Sequence, residues 1–273
     1  MFSVSSTSLI IRHVSSVPAL TLAFWRMLSA GGMLWVYSIK TQKKKITPKN
    51  RKRVLLAGFF LGLHFAMFFV GVRNTSVASA TLLANTGPIF TAIIAWINNT
   101  RFHKLVYYGL FLSVFGVVVI QGFNFIHESN SLIGNTLSLL SGFCLAITYV
   151  FASKIRTKTT ALSYGRSVFI IAALTIGIIA IISGNSLFDF EITTIPWFLF
   201  LGLVPSILGH NMLNYCIKYL SPTAVASVPL GEPVIASIFG YFIFSEIVPI
   251  ESVYGAPFVF FGIWLIINNS SKN

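Results

Sequence analysis

Long apolar runs separated by short polar breaks dominate the chain. Most runs hold about 20 residues, the length a helix needs to cross ~30 Å of hydrocarbon. They predict helices over 19–39, 54–73, 76–97, 104–122, 132–153, 164–183, 196–217, 222–244 and 252–268, preceded by a shorter helix within residues 1–14. The runs are continuous, not the alternating segments of about 10 residues that build a membrane barrel. Backbone groups in lipid must pair within the chain. The expected fold is therefore an all-α membrane protein of about ten transmembrane helices. The segment from Met1 to Val14 holds too few apolar residues for a full crossing. No basic segment precedes it and no cleavage site follows it, so it does not read as a signal peptide. The expectation is a first helix represented by its outer half only.

Composition sharpens this picture. Hydrophobic residues make up 55% of the 273 positions and charged residues 9%. A soluble domain carries roughly 25% charged residues, and no soluble fold could cover so much apolar surface. The formal charge of +13 raises the question of nucleic acid. The largest basic cluster, Lys40 to Arg53, lies between two apolar runs, which the positive-inside rule explains; no nucleic-acid partner is expected. With that cluster in the cytoplasm, Arg101, Lys104, Lys154, Arg156, Lys158, Lys218 and Lys272 fall on the same side. Glu128, Asp189, Glu191, Glu246 and Glu251 fall outside, with Arg12 and Arg73. The expected placement is a multi-pass protein of the cell membrane with both termini inside. Cys144 and Cys216 lie within apolar runs and read as small packing residues, not a disulfide or metal pair. No metal and no cofactor is expected.

The chain also repeats itself. Ser76 and Pro88 recur 145 residues later as Ser221 and Pro233, and Arg73 is matched by Lys218. Phe115, Gly116 and Ile120 recur 146 residues later as Phe261, Gly262 and Ile266. An odd number of helices per copy inverts the second copy. The expected organisation is two inverted five-helix repeats, residues 1–125 and 130–273, with a binding site at their interface near the midplane.

Three segments resemble a known family. The stretch from Gly209, GHNMLNYCIKYLSPTAVASVPLGEPVIASIFGYFIFSE, is similar to the second repeat of the EamA-type drug/metabolite transporter superfamily, and GLHFAMFFVGVRNTSVASATLLANTGPIFTAIIAW from Gly62 to the first. VPALTLAFWRML, with Pro18 and Arg26, resembles that family's entry into its second helix. The pattern departs at the shortened start. It departs again at Arg101, which stands near the position matched by the acidic Glu246. The resemblance implies ten helices in two inverted repeats and transport of metabolites, amino acids or drugs, with export as the implied direction.

Ionisable residues at membrane depth are costly and mark functional sites by default. Glu232 lies about ten residues into its run, near mid-membrane at ~1.5 Å per residue. Desolvation disfavours a charged carboxyl there, which makes Glu232 the candidate for proton coupling or for binding a cationic group. Arg26 reads as an anion anchor, as a partner for Glu232, or as a side chain snorkelling to the headgroups. His64 and His210, separated by nearly the repeat spacing, are candidate cavity residues, or packing histidines. Asn85, Tyr149 and Asn214 are further polar candidates, whose usual role is interhelical hydrogen bonding. Gly87-Pro88 and Glu232-Pro233 interrupt equivalent positions of the two repeats. They are candidate hinges lining the cavity.

The leading function is a secondary transporter for a small-molecule substrate, working by alternating access and possessing no G-x-x-x-x-G-K-[ST] loop for direct ATP use. An intramembrane enzyme is the alternative. His64 and Glu232 would supply acid and base, but no nucleophile accompanies them, and neither H-E-x-x-H nor G-x-S-x-G occurs. A channel or receptor would show a continuous polar stripe, which the runs lack. The chain is not expected to be an enzyme.

Overall fold

The structure is a computed structural model and describes residues 2–41, 46–127, 131–244 and 248–270. Lys43, Lys44, Lys45, Glu128, Glu246 and Lys272, used in the charge pattern above, lie outside the described residues. The helices are α1 (Phe2–His13), α2 (Ala19–Ile39), α3 (Pro48–Asn74), α4 (Val77–Ala84), α5 (Gly87–Ile97), α6 (Lys104–His127) and α7 (Leu132–Ile155). They continue as α8 (Ala161–Ile182), α9 (Ile195–Leu201), α10 (Met212–Cys216), α11 (Pro222–Ser227), α12 (Glu232–Phe244) and α13 (Ile250–Asn269). Among the described residues, eight helical spans are long and apolar enough to cross a membrane, counting α4–α5 as one and α9–α10 as one. Helix α1 and the broken α11–α12 complete an all-α membrane protein of about ten helices.

Hydrophobicity located the membrane-crossing parts, and local chemistry moved the ends. Helix α3 starts before its apolar run, at Pro48. A proline in the first turn has its φ preset and needs no N–H there, so the basic stretch up to Arg53 is already helical. Serine and threonine caps open several helices. Ser131 accepts from the Gly134 N–H at 3.3 Å and Thr160 from the Ser163 N–H at 3.2 Å. Helix α5 ends at a left-handed residue, Asn99 with φ 58°, a conformation asparagine tolerates better than most.

Three runs are interrupted, two of them close to the expected Gly87-Pro88 and Glu232-Pro233 interruptions. The run 76–97 stops at Ala84 and restarts at Gly87. The run 222–244 passes through a 3-10 turn, Val228–Gly231, between α11 and α12. The run 196–217 widens into a π-helical segment, Gly202–Asn211. Proline explains each, because it lacks the N–H that an α-helix needs and clashes with the preceding turn. Pro205 cannot donate to the Leu201 carbonyl; the Ser206 hydroxyl donates to that oxygen instead, at 2.8 Å.

Helix α3 packs against α7 and α8, and α2 against α8, around a core that includes Met27, Phe65, Phe69, Phe169 and Ile176. A separate seam joins α6 and α13. A Cβ added to Gly109 would sit 2.7 Å from the Gly262 carbonyl, and one added to Gly116 would sit 2.7 Å from the Gly255 carbonyl. Only glycine permits that approach. The contacts pair Gly109 with Gly262 and Gly116 with Gly255, so the two helices run antiparallel.

The two ends of the bundle differ. At the end carrying Asp189 and Glu191, Arg73 donates to the carbonyls of Ser15 and Val17, both at 3.1 Å, and Arg12 donates to that of Thr75 at 2.5 Å. Trp25 donates to the Leu187 carbonyl at 2.7 Å and stacks on Phe198. At the end carrying Arg101 and Lys154, a polar cavity of about 520 Å³ opens between α5, α7, α11 and α13.

Candidate functional site

The helix breaks meet at the centre of the bundle. Asn85 caps the C-terminus of α4, and its side chain donates to the Pro229 carbonyl of the 3-10 turn at 3.4 Å. The Glu232 carboxyl shares the lining of one cavity with Asn85. Glu232 opens α12, at the end where the helix dipole favours an acid, and its N–H donates to the Pro229 carbonyl. It is buried, at 7% exposure. Burial at a helix N-terminus beside an amide donor is how an acid is tolerated at this depth.

Arg26 faces this group from α2 and is fully buried. Its Nε donates to the Ser206 hydroxyl at 2.8 Å and its Nη1 to the Thr7 hydroxyl at 3.3 Å. Its guanidinium carbon lies 4.4 Å from the Phe65 ring centre and 5.7 Å from that of Phe69, a cation–π arrangement. Its Nη2 has no hydrogen-bond partner. Complete burial removes the snorkelling reading. The π-helical segment positions Ser206, so Pro205 indirectly orients the arginine.

His64 lies on α3, with Nδ1 3.0 Å from the Ser141 carbonyl of α7. A carbonyl only accepts, so Nδ1 carries the proton, and in the neutral ring Nε2 is the acceptor. His210, in the π-helical segment, has its ring centre 6.3 Å from that of His64 and 5.1 Å from that of Phe65. A cavity of about 30 Å³ is enclosed by Arg26, His64, Asn85, His210 and Glu232, together with Thr7, Phe65, Phe68, Thr81, Ala84, Leu145 and Pro229. That volume holds roughly one water and no metabolite, since ligand pockets measure about 300–1,000 Å³. The centre is occluded in this conformation.

Two of the polar residues singled out from sequence sit elsewhere. Tyr149 and Asn214 do not line the cavity. Both are buried toward the basic end, around Arg156. The Arg156 Nε donates to the Asn214 carbonyl at 2.7 Å, and its Nη1 to the Thr159 carbonyl. The Tyr149 and Tyr164 hydroxyls lack partners here. Sequence spacing gave the depth of Tyr149 but not the face of α7 it occupies. Gly87 and Pro88 open α5 immediately past the first break, and Pro233 is the second residue of α12, so the proline pair flanks the cavity without lining it.

Thr7, Thr81 and Ser206 were missed. Ser206 carried a signal, as a hydroxyl directly after an intrahelical proline. Gln121 carried one too, as an amide inside an apolar run; its Nε2 donates to Thr81 Oγ1 at 3.1 Å. Thr7 and Thr81 carried none, because threonine is unremarkable in membrane helices.

The sequence profile of the EamA-like transporter family matches residues 1–122 and again 132–268. The chain belongs to the EamA-like transporter family. It is 26% identical over 252 residues to an uncharacterized transporter of Archaeoglobus fulgidus, covering 89% of this chain and 86% of that protein. It is 24% identical over 262 residues to the uncharacterized transporter YdfC of Bacillus subtilis, covering 92% and 83%. A solved crystal structure superposes with a TM-score of 0.77 at 12% identity, covering 97% of this chain and 91% of that one, which shows the shared fold. This EamA-like chain is a membrane transporter, and its breaks and buried charges are features of a multi-pass transport protein.

Proposed function

We propose that this protein is a secondary transporter of the cell membrane that moves a small metabolite or amino-acid-like solute by alternating access. Residues 1–125 and 130–273 act as two inverted repeats that rock about the central cavity. Export is the direction the family resemblance implies. The observation that carries the reading is the convergence of Arg26, His64, His210, Asn85 and Glu232, from distant parts of the chain, on one cavity between two broken helices. Broken helices with polar groups at their junction are the arrangement transporters use to bind solutes at mid-membrane. The α6–α13 seam supports the repeat reading, since Gly109 and Gly255, like Gly116 and Gly262, are separated by the same 146 residues.

Lys40, Arg101 and Lys154 mark one end, and the positive-inside rule assigns that end to the cytoplasm. The conformation is then sealed outside, occluded at the centre and indented on the cytoplasmic side. The free Arg26 Nη2 offers a donor to an acceptor group of the solute. Glu232 takes up and releases the coupling proton, and Asn85 holds its carboxyl in place.

The test compares a deletion strain with strains restored by wild type, Glu232→Gln or Arg26→Lys, measuring metabolites retained in cells and released to the medium. Wild type restores release of a specific solute, and Glu232→Gln, present in the membrane at equal amount, does not. Restored release with unchanged pH dependence in Glu232→Gln would remove the proton role. Normal transport by Arg26→Lys would remove forked recognition, because lysine keeps the charge and loses the guanidinium geometry.

A further inference from the structure

The cavity at the basic end holds about 520 Å³ against about 30 Å³ at the centre, so it is the one of the two with room for a solute. Arg101, in the loop between α5 and α6, and Lys154, at the end of α7, line it with His103, and among the described residues no acid lines it. Its walls include Ile94, Val150 and Phe102. Low-dielectric walls around charges of one sign focus the field into the cleft, so exposed cations act more strongly there than on an open surface. Its buried lining carries an unmet polar group. Thr223 is fully buried, lines the cavity, and its hydroxyl has no hydrogen-bond partner. Buried hydroxyls are normally paired, so an unpaired one within a cavity's wall marks a contact to be completed. Thr91, in the same lining, is four residues past Gly87, or ~6 Å of helix rise, so the cavity leads toward the central break.

We infer that this vestibule is an anion-binding entry site, which holds the carboxylate or phosphate group of a soluble solute between Arg101 and Lys154, with the Thr223 hydroxyl completing the contact. The entry role rests on the transport reading above; the binding site does not. Arg101 is also the position at which the chain departs from the two-repeat pattern, so the site belongs to one side of the membrane only.

The experiment uses the full chain in phosphatidylcholine nanodiscs and measures equilibrium binding of radiolabelled phosphate and succinate. Wild type binds at least one of them, and rising salt weakens binding, as screening of exposed charges requires. Arg101→Gln combined with Lys154→Gln lowers affinity about tenfold or more. Thr223→Val, which changes the hydroxyl for a methyl, lowers it about fivefold. The proposal is overturned if the double variant binds like wild type, or if Arg26→Gln abolishes binding and the vestibule variants do not. It is also overturned if phosphatidylglycerol in the nanodisc saturates the site while neither soluble anion binds. If vestibule binding holds while Glu232→Gln transports normally, the central-site reading falls and the vestibule stands. If binding is absent while Glu232→Gln abolishes transport, the vestibule alone falls.

Discussion

The two central helix breaks start from the same local design and end in different chemistry. Each is preceded by a short helix with a serine N-cap: Ser76 accepts from the Ser79 N–H at 3.0 Å, and Ser221 from the Ala224 N–H at 3.1 Å. Each is followed by a helix with proline as its second residue, Pro88 or Pro233. At the first break the chain turns at Asn85 and Thr86, and Thr86 satisfies the Leu83 carbonyl with its own hydroxyl at 2.6 Å. At the second it runs through a 3-10 turn and places an acid, Glu232, where the first has Gly87. The backbone device is shared, and the side chains are complementary. One break supplies an amide donor, and the other supplies the Pro229 carbonyl that the amide binds and an acid in the same cavity. A shared backbone pattern carries an asymmetric site, because the side chains at the two breaks differ.

The largest effect should come from erasing that asymmetry. Glu232→Gln makes both breaks neutral and keeps the side-chain volume. Transport should fall about 100-fold, on the scale set by losing a positioned proton-transfer group. Membrane-inserted protein should stay at the wild-type level. Metabolite release from cells checks the first, and quantitative detection of folded protein checks the second. Asn85→Leu should come next. It removes the side-chain donor to the Pro229 carbonyl, which keeps the Glu232 N–H, and sets an apolar group in the cavity that holds the buried Glu232 carboxyl, at a cost of about 3 kcal/mol. Thermal unfolding in detergent or nanodiscs measures it, and an unchanged midpoint would show that the bridge between the breaks is not structural.

Smaller effects test the features that the halves share. Gly109→Ala and Gly255→Ala each drive a methyl against a backbone carbonyl 2.7 Å away across the α6–α13 seam. Each should cost about 2 kcal/mol, as overpacking does, and the two costs should be alike. Unequal shifts of the unfolding midpoint would break the symmetry. The smallest effects should come from Ser76→Ala and Ser221→Ala. Each removes one cap hydrogen bond and should cost about 1 kcal/mol. The pair should again be matched, in contrast to the unmatched Asn85 and Glu232.

Much of the fold was legible in the sequence. The α2 run, 19–39, matches the observed helix Ala19–Ile39 at both ends, because proline precedes it and a polar stretch follows it. Helix α3 extends beyond its apolar run, because hydropathy reports what lipid covers and not where hydrogen bonding stops. Five of the polar residues singled out by depth proved to share one cavity: Arg26, His64, Asn85, His210 and Glu232. Depth was informative for them because an ionisable group in lipid must turn inward. It failed for Tyr149 and Asn214, which are buried but do not line that cavity. A neutral tyrosine or asparagine can be buried on any face of its helix, so its depth does not specify its neighbours.

The sequence by itself determined the solvent, the helices and the places where they break. Those follow from apolar run length and from proline, whose effects act within a few residues of where it stands. It also shows residues that recur at a spacing of 145–146. Only the tertiary structure decided which polar groups meet. Asn85 and Pro229 are 144 residues apart, and Arg26 and Ser206 are 180. Which donor finds which acceptor over such separations depends on helix rotation and crossing, and a helix can rotate about its axis without changing its hydropathy profile. Close packing fixes that rotation. It sets the glycine pairs of the α6–α13 seam in register, and it leaves the central cavity closed while the basic vestibule stays open.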